Sequence, residues 1–222
     1  MSRPFVLCRK QAKYAVVVAA VGNDNKQDLF YPAAYNDHVV AVAATDSNDQ
    51  KAAFSNYGDW VDISAPGVGV WSTLYDDTYA AWSGSSMAAP FVSGVAGLVR
   101  SAHPAWSAGA VRGQLLHTAE PIDGANPDYE GLLGSGRLDA LDALSMPAQP
   151  DLYLAGYAID GTPFGTIEPG STVQMAIGLT NLWADASNAA ALLQSTDPHV
   201  TIDDATATYG AIAGSTTVTN TL

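Results

Sequence analysis

A chain of 222 residues, of which 48% are apolar and 14% charged, can bury a sizeable core and is too apolar to be disordered. Its 22 acidic residues outnumber 9 basic ones, and the net charge of −13 argues against nucleic acid as a partner, because a phosphate backbone needs a basic face. No apolar run approaches the roughly 20 residues that cross a membrane, so no membrane span is expected. The one cysteine, Cys8, permits no internal disulfide.

Three short apolar runs predict strands in the first part of the chain. They cover residues 15–21, 39–45 and 61–63, and a turn at residues 65–67 ends the last one. Continuous apolar runs of this length are typical of strands buried on both faces of a parallel sheet. We therefore expect an α/β fold.

Three helices are expected after these strands. The segment from Ser86 to residue 102 is apolar all round, which predicts a helix buried on every side with Pro90 in its first turn. Ser107 is an N-cap candidate for a second helix that reaches residue 117. A third helix is expected over residues 137–144, after a Gly-Ser-Gly turn.

A change of sequence pattern after residue 146 predicts two domains, residues 1–146 and 151–222, joined by a linker at 147–150. The second domain has strand-like segments that alternate with turn signals, at residues 151–159, 172–180, 200–202 and 206–210. About four or five strands are fewer than the roughly seven of an immunoglobulin-like sandwich. We therefore expect a partial antiparallel β-sandwich.

A serine at the start of a small-residue helix is the candidate catalytic group. Ser86 lies in the sequence Gly-Ser-Ser-Met-Ala-Ala-Pro, residues 84–90, where a turn enters the helix. Unpaired N–H groups and the positive end of the helix dipole meet at such a point, and they stabilise charge that develops on a bound carbonyl oxygen. Taken alone, a serine in this position is more often only an N-cap.

Residues 84–90 closely resemble the signature G-T-S-M-A-x-P around the nucleophile of the subtilisin family of serine peptidases, with Ser85 where the family usually has threonine. Four further segments resemble family motifs, in the family's order and spacing. They lie at residues 17–23 (VVAAVGN), 31–46 (Tyr-Pro, then VVAVAATD), 53–58 (AFSNYG) and 62–67 (DISAPG). The similarity covers residues 13–145 and implies a subtilisin-like parallel sheet with flanking helices.

The resemblance assigns roles to residues in two of these motifs. Ser86 would be the acylated nucleophile, and its backbone N–H would form the oxyanion hole together with the Asn23 side-chain amide. Ala20, Val21 and Gly22 would form a wall of the substrate pocket. Asn23 taken alone could equally be a turn asparagine that follows a strand.

A serine nucleophile needs a histidine as base and a carboxylate that orients the histidine. The family carries both upstream of the serine, in Asp-Ser/Thr-Gly and His-Gly-Thr motifs, and neither motif occurs in this sequence. None of the four histidines is read as a general base: His38, which suits a surface loop, and His103, His117 and His199. We therefore expect the carboxyl-terminal part of a catalytic domain, inactive without the missing amino-terminal half.

Two functions remain as hypotheses. The first is a serine endopeptidase that cleaves proteins or peptides through an acyl-enzyme, outside the cell or at its surface, although no signal peptide is visible in the sequence. The second is a non-catalytic, peptidase-like scaffold that carries a surface-binding β-sandwich. Intact Ser86 and Asn23 favour the peptidase, because a degenerate site has no chemical reason to keep both.

The peptidase chemistry requires no cofactor, but the resemblance leaves a structural Ca²⁺ open. Asp62 and the loop at residues 33–39 resemble a region where subtilisins bind a weak cation through backbone oxygens, although a plain loop is the favoured interpretation. Residues 196–198 and the pair Asp203-Asp204 offer further oxygen ligands. Nothing in the sequence fixes the number of oxygen ligands that a Ca²⁺ site needs.

Overall fold

A three-stranded parallel sheet lies at the centre of the first part of the chain. The computed structural model describes residues 15–35, 39–150, 152–181, 183–214 and 216–221. The strands are β1 (Val18–Ala20), β2 (Val40–Thr45) and β3 (Ile63–Pro66), in the order β1-β2-β3 with both pairs parallel. The predicted parallel sheet is confirmed, although β1 is shorter than its apolar run and β3 begins later than the sequence pattern indicates.

Three α-helices accompany the sheet: α1 (Ser85–Ala102), α2 (Ala108–His117) and α3 (Ala140–Ser145). Two short 3₁₀ helices, Asp123–Ala125 and Pro127–Tyr129, lie between α2 and α3. The N-cap predicted for α2 is confirmed, because Ser107 Oγ accepts a hydrogen bond from the Ala110 N–H at 3.1 Å. Among the described helices, none is long and apolar enough to cross a membrane.

Two details of the helix predictions are wrong. Helix α1 buries only one face in this chain, since Phe91 and Leu98 remain 43% and 53% exposed on the other. The helix also begins at Ser85, which places Pro90 in its second turn rather than its first. Helix α3 begins at Ala140 rather than at residue 137, because the backbone before it bonds to the loop after α2 and to β3.

Strand β2 is buried along its whole length, because apolar side chains cover both of its faces. Since successive residues of a strand point to opposite faces, Val40 and Val42 pack against α1, while Ala41 and Ala43 pack into a second cluster with Val21. The sheet therefore lies between two apolar layers. The amino terminus of α1 is held at the edge where the parallel strands end.

An antiparallel hairpin, absent from the sequence predictions, joins the sheet to α1. It consists of β4 (Val70–Thr73) and β5 (Tyr79–Trp82), and most of its residues are exposed. Within its turn, the Thr78 hydroxyl donates to Asp76 Oδ1 at 2.6 Å, and this bond lowers the pKa of Asp76. A hairpin without a buried face shows no alternation of apolar and polar residues, so the sequence pattern did not indicate it.

The second part of the chain is a separate compact unit, which begins at Ala148. Its six strands are β6 (Leu152–Ile159), β7 (Thr162–Pro163), β8 (Met175–Asn181), β9 (Ala186–Leu192), β10 (Thr206–Ile212) and β11 (Thr216–Thr221). They form two antiparallel sheets, β11-β8-β6-β7 and β10-β9, which confirms the antiparallel fold of this region.

The predictions for individual strands of the second unit were less accurate. The strand expected at residues 200–202 is wrong, because that segment is irregular. Strands β9 and β11 were not predicted. Among the described residues of this unit, the buried apolar side chains are Ile159, Ile177, Trp183, Ala186, Ala189, Ala207 and Ile212. Ala186, Ala189 and Ile212 form one cluster, with partly buried side chains from both sheets against it.

Candidate active site

The candidate nucleophile stands in the first turn of α1, at the edge where the parallel strands end. Gly67 follows β3, and its N–H donates to the Thr45 carbonyl at the end of β2, at 2.9 Å. The Gly84 N–H in turn donates to the Gly67 carbonyl at 2.8 Å. These bonds fix the turn before the helix to the sheet, and Ser86 itself is exposed.

The residue before the nucleophile, Ser85, is fully buried and connects the helix to Asn23. Its backbone N–H and its hydroxyl both donate to Asn23 Oδ1, at 2.8 and 2.9 Å. The Gly22 N–H donates to Ser85 Oγ at 3.2 Å. Because both bonds go to the carbonyl oxygen of Asn23, the amide is oriented with Nδ2 as its remaining donor. A hydroxyl at position 85 is therefore sufficient for these bonds, although the family usually has threonine there.

Two N–H donors, the Asn23 amide and the Ser86 backbone N–H, lie near one position beside Gly84. A Cβ placed on Gly84 would lie 3.4 Å from Met87 Sδ, 3.5 Å from Asn23 Nδ2 and 3.7 Å from the Ser86 nitrogen. Over the described ranges, neither donor has a hydrogen-bond acceptor. An oxygen atom in this space would meet a backbone N–H at a helix amino terminus together with a side-chain amide, a pair of donors suited to an oxyanion.

The residues predicted to line the substrate pocket lead from β1 to Asn23. Ala20 is half-buried, and Val21 packs its side chain into the core. Gly22 is buried and has a φ of 97°, a conformation that glycine adopts without strain. The structure places all three residues directly before the amide donor, and their role as a pocket wall stays a prediction.

A lysine holds the far end of the loop that carries Asn23. The Lys51 ammonium donates to Asn25 Oδ1 at 2.8 Å and to two backbone carbonyls, those of Ala52 and Ser55. It also lies 5.1 and 4.7 Å from the ring centres of Tyr57 and Tyr129, within the range of a cation–π contact. Burial lowers the pKa of this ammonium.

The Asp62 carboxylate, which lies in the region that resembles a cation site of subtilisins, is engaged by protein groups. Its Oδ1 forms an ion pair with Arg112 at 2.6 Å, and its Oδ2 accepts the Ala41 N–H at 2.8 Å. Residues 36–38 of the neighbouring loop lie outside the described residues. In the part of the chain that the structure describes, no three His, Cys, Asp or Glu side chains form a metal-binding group. A structural Ca²⁺ stays a prediction.

No described histidine bonds to Ser86. His103 caps the opposite end of α1, about 25 Å away at about 1.5 Å per residue, and its ring stacks on Trp106 at 3.8 Å. His117 ends α2, and His199 belongs to the second unit, where its N–H donates to Asp197. His38 lies outside the described residues.

A serine at a helix amino terminus, beside an asparagine amide at the edge of a parallel sheet, defines a subtilisin-like class of α/β proteins. The sequence model of the Subtilase family matches residues 5–156, more than half of the chain. The chain therefore belongs to the subtilase family.

Several curated relatives are similar to the first unit. M-protease of Shouchella clausii is 46% identical over 125 residues, which are 56% of this chain and 31% of that protein. Subtilisin BL of Lederbergia lenta is 45% identical and covers 56% and 44% of the two chains. Thermitase of Thermoactinomyces vulgaris is 44% identical over 132 residues, 60% of this chain and 45% of its own. The chain thus spans less than half the length of these relatives.

Solved structures support the same assignment. The prenylagaramide maturation protease PagA superimposes with a TM-score of 0.56 at 33% identity, over 63% of this chain and 52% of its own. A protease of Pseudoalteromonas arctica gives a TM-score of 0.53 at 32% identity, over 59% and 42% of the two chains. The fold of the first unit is therefore subtilisin-like.

The sequence analysis named Asn23 and Ser86 as candidate donors, but it did not name the side chains that hold them. The sequence analysis noted Ser85 only as a departure from the family signature. It included Asn56 in the motif at residues 53–58 but gave it no role. Both are polar residues at buried positions, and burial is what requires each of them to have partners. No local apolar pattern marks either position as buried, because Ser85 stands between Gly84 and Ser86, and Asn56 stands between Ser55 and Tyr57.

Proposed function

We propose that this chain supplies the nucleophile and the oxyanion hole of a serine endopeptidase. The observation that carries the proposal is that Asn23 Nδ2 and the Ser86 backbone nitrogen lie within 3.7 Å of one position beside Gly84. In peptide hydrolysis, the carbonyl oxygen of the scissile bond becomes negatively charged when the serine attacks. Two donors held in place before the reaction stabilise that charge without reorganising.

In the proposed reaction, Ser86 Oγ bonds to the peptide carbonyl carbon and its proton passes to a histidine. The histidine then protonates the leaving amine as the peptide C–N bond breaks, which leaves an acyl-enzyme. Water hydrolyses the acyl-enzyme and restores the serine. Because the sequence has neither family motif for the aspartate and the histidine, we propose that both come from the amino-terminal part of a subtilase domain. We also propose that this chain does not hydrolyse peptides by itself.

The substrates are proposed to be proteins or peptides, cleaved outside the cell or at its surface. Membership of the subtilase family supports both points.

The test is to complement the full chain with the amino-terminal part of thermitase, which in this family carries the aspartate and the histidine, and to assay casein cleavage and labelling by a fluorophosphonate. We call this pair the complemented enzyme. We expect cleavage and labelling at Ser86, both lost in Ser86→Ala. The matched control is Ser93→Ala, because Ser93 is an exposed serine on the same helix.

Two results would contradict the proposal. Absence of labelling in the complemented enzyme, with the chain folded, would favour the non-catalytic scaffold. Labelling of the chain alone would mean that it contains its own base, and would refute the proposed need for a second segment.

A further inference from the structure

One buried side chain holds the backbone on both sides of the oxyanion amide. Asn56 lies in the loop after β2 and is only 2% exposed. Its Oδ1 accepts the N–H groups of Asp24 and Lys26, at 2.9 and 3.1 Å. Its Nδ2 donates to the Val21 carbonyl at 2.9 Å. We name residues 21–26 the oxyanion loop, because Asn23 lies within it.

The backbone of Asn56 also bonds to the oxyanion loop. Its N–H donates to the Gly22 carbonyl at 3.1 Å, so a single residue bonds to the oxyanion loop before and after Asn23. Its Nδ2 also lies 2.6 Å from the position that a Cβ on Gly22 would occupy. Asn56 therefore fills the space directly behind Gly22.

The oxyanion loop needs such support because its backbone is irregular. Gly22 has a φ of 97° and Asn25 a φ of 52°, and neither residue belongs to a strand or helix. Buried backbone groups of such a loop cannot bond within a ladder, so a side chain must supply their partners. Asn56 supplies them from one side, while Ser85 holds the Asn23 carbonyl oxygen from the other.

We propose that Asn56 is a positioning residue for the oxyanion hole, which it serves by fixing the backbone that carries Asn23. The inference rests on the proposed function. Asn56 touches neither substrate nor nucleophile, and it acts only through the place it gives to the Asn23 amide. An error of about 1 Å in the position of a catalytic group can lower the rate by about 10²-fold.

The test compares Asn56→Ala with Asn126→Ala in the complemented enzyme. Asn126 is a matched control, since it is 5% exposed and its side chain also bonds three backbone groups, those of Lys51, Asp49 and Ile122. We expect Asn56→Ala to lower kcat by about 10- to 10²-fold with little change in KM. Both variants should lower the melting temperature by similar amounts, because each removes a buried side chain that bonds three backbone groups. Asn126→Ala should leave kcat unchanged.

A double mutant separates positioning from general damage. If Asn56 acts through Asn23, then adding Asn56→Ala to Asn23→Ala should lower kcat by less than about twofold further. Asn56→Ser guards against a variant that does not fold, because a hydroxyl retains one donor and acceptor capacity without adding a buried charge. We expect its kcat to lie between those of wild type and Asn56→Ala.

The outcomes distinguish this inference from the proposed function. Equal effects of Asn56→Ala and Asn126→Ala on kcat, or a full additive loss in the double mutant, would overturn the role of Asn56 while leaving the peptidase intact. Activity that survives Ser86→Ala would instead overturn the proposed function, and the inference with it.

Discussion

The two units of the chain differ in how they use buried polar side chains. The first unit buries Thr45, Ser55, Asn56, Ser64, Ser85, Gln114, Thr118 and Asn126, and most of them bond to loop backbone. In the described part of the second unit, the one buried polar side chain is Asn181, which bonds to the carbonyls of Ala184 and Ile212. The second unit pairs its backbone through strand ladders.

This difference shows where irregular backbone is held in a defined geometry. A ladder satisfies backbone groups by itself, whereas a loop needs side chains for the same purpose. The first unit therefore maintains a precise loop beside Ser86 at the cost of burying polar groups. We expect substitutions in the oxyanion loop to change activity more than stability, and substitutions in the second unit to change stability alone.

The largest expected effect is on the amide donor. Asn23→Ala in the complemented enzyme should lower kcat by about 10²–10³-fold, or about 2.7–4 kcal/mol, with little change in KM; the magnitude is that of subtilisin, a member of the family. The melting temperature should also fall, because the variant leaves the backbone N–H of the fully buried Ser85 without an acceptor. Steady-state kinetics and thermal melting test this. An unchanged kcat would remove Asn23 from the oxyanion hole.

The second effect concerns the space beside the nucleophile. Gly84→Ala places a methyl group 3.5 Å from Asn23 Nδ2 and 3.7 Å from the Ser86 nitrogen, where the oxyanion would bind. We expect kcat/KM to fall by about 10- to 10²-fold. Gly94→Ala is the control, since an added Cβ there meets no atom within 4 Å. Equal activity of the two variants would contradict the assigned position of the oxyanion.

The smallest expected effect is a change in the free energy of unfolding, which we compare between the cores of the two units. Ile63→Val and Ile212→Val each remove one methylene from a fully buried isoleucine, which costs about 0.5–1.5 kcal/mol. Ile63 belongs to a cluster of 15 buried residues, so the free-energy loss of Ile63→Val should lie at the upper end. Ile212 packs with two buried alanines and with the partly buried Leu179, Tyr209 and Val218, which can relax more easily, and we expect the lower end for Ile212→Val. Urea denaturation of the full chain measures both, and a larger loss at Ile212 would reverse the comparison.

The sequence pattern was most informative where side chains alternate between buried layers. The apolar run over residues 39–45 predicted β2, because a strand covered on both faces has no polar positions. Ser107 predicted the start of α2 for an equally local reason, since an N-cap bonds within its own turn. Such features depend only on residues that are close in sequence, so the sequence pattern is sufficient to predict them.

The features that the sequence analysis missed depend on contacts between residues that are distant in sequence. The hydroxyl of Ser85 meets Asn23 across 62 positions, and Asn56 meets Asp24 across 32. No local pattern records such a pair. In the second unit, β9 was missed because its alanines have little strand propensity, and it is the pairing with β10 that stabilises it.

The two ends of the hairpin before α1 are joined by hydrogen bonds, so a change at its tip should not alter the position of Ser86. The bond from the Gly84 N–H to the Gly67 carbonyl joins its two ends, and Ser83 Oγ accepts the Gly69 N–H just above that point. Its tip carries Tyr75, which is fully exposed. Since doubling the length of a loop costs only about 0.6 kcal/mol, the tip can accept an inserted peptide, or diverge freely in evolution, without moving Ser86.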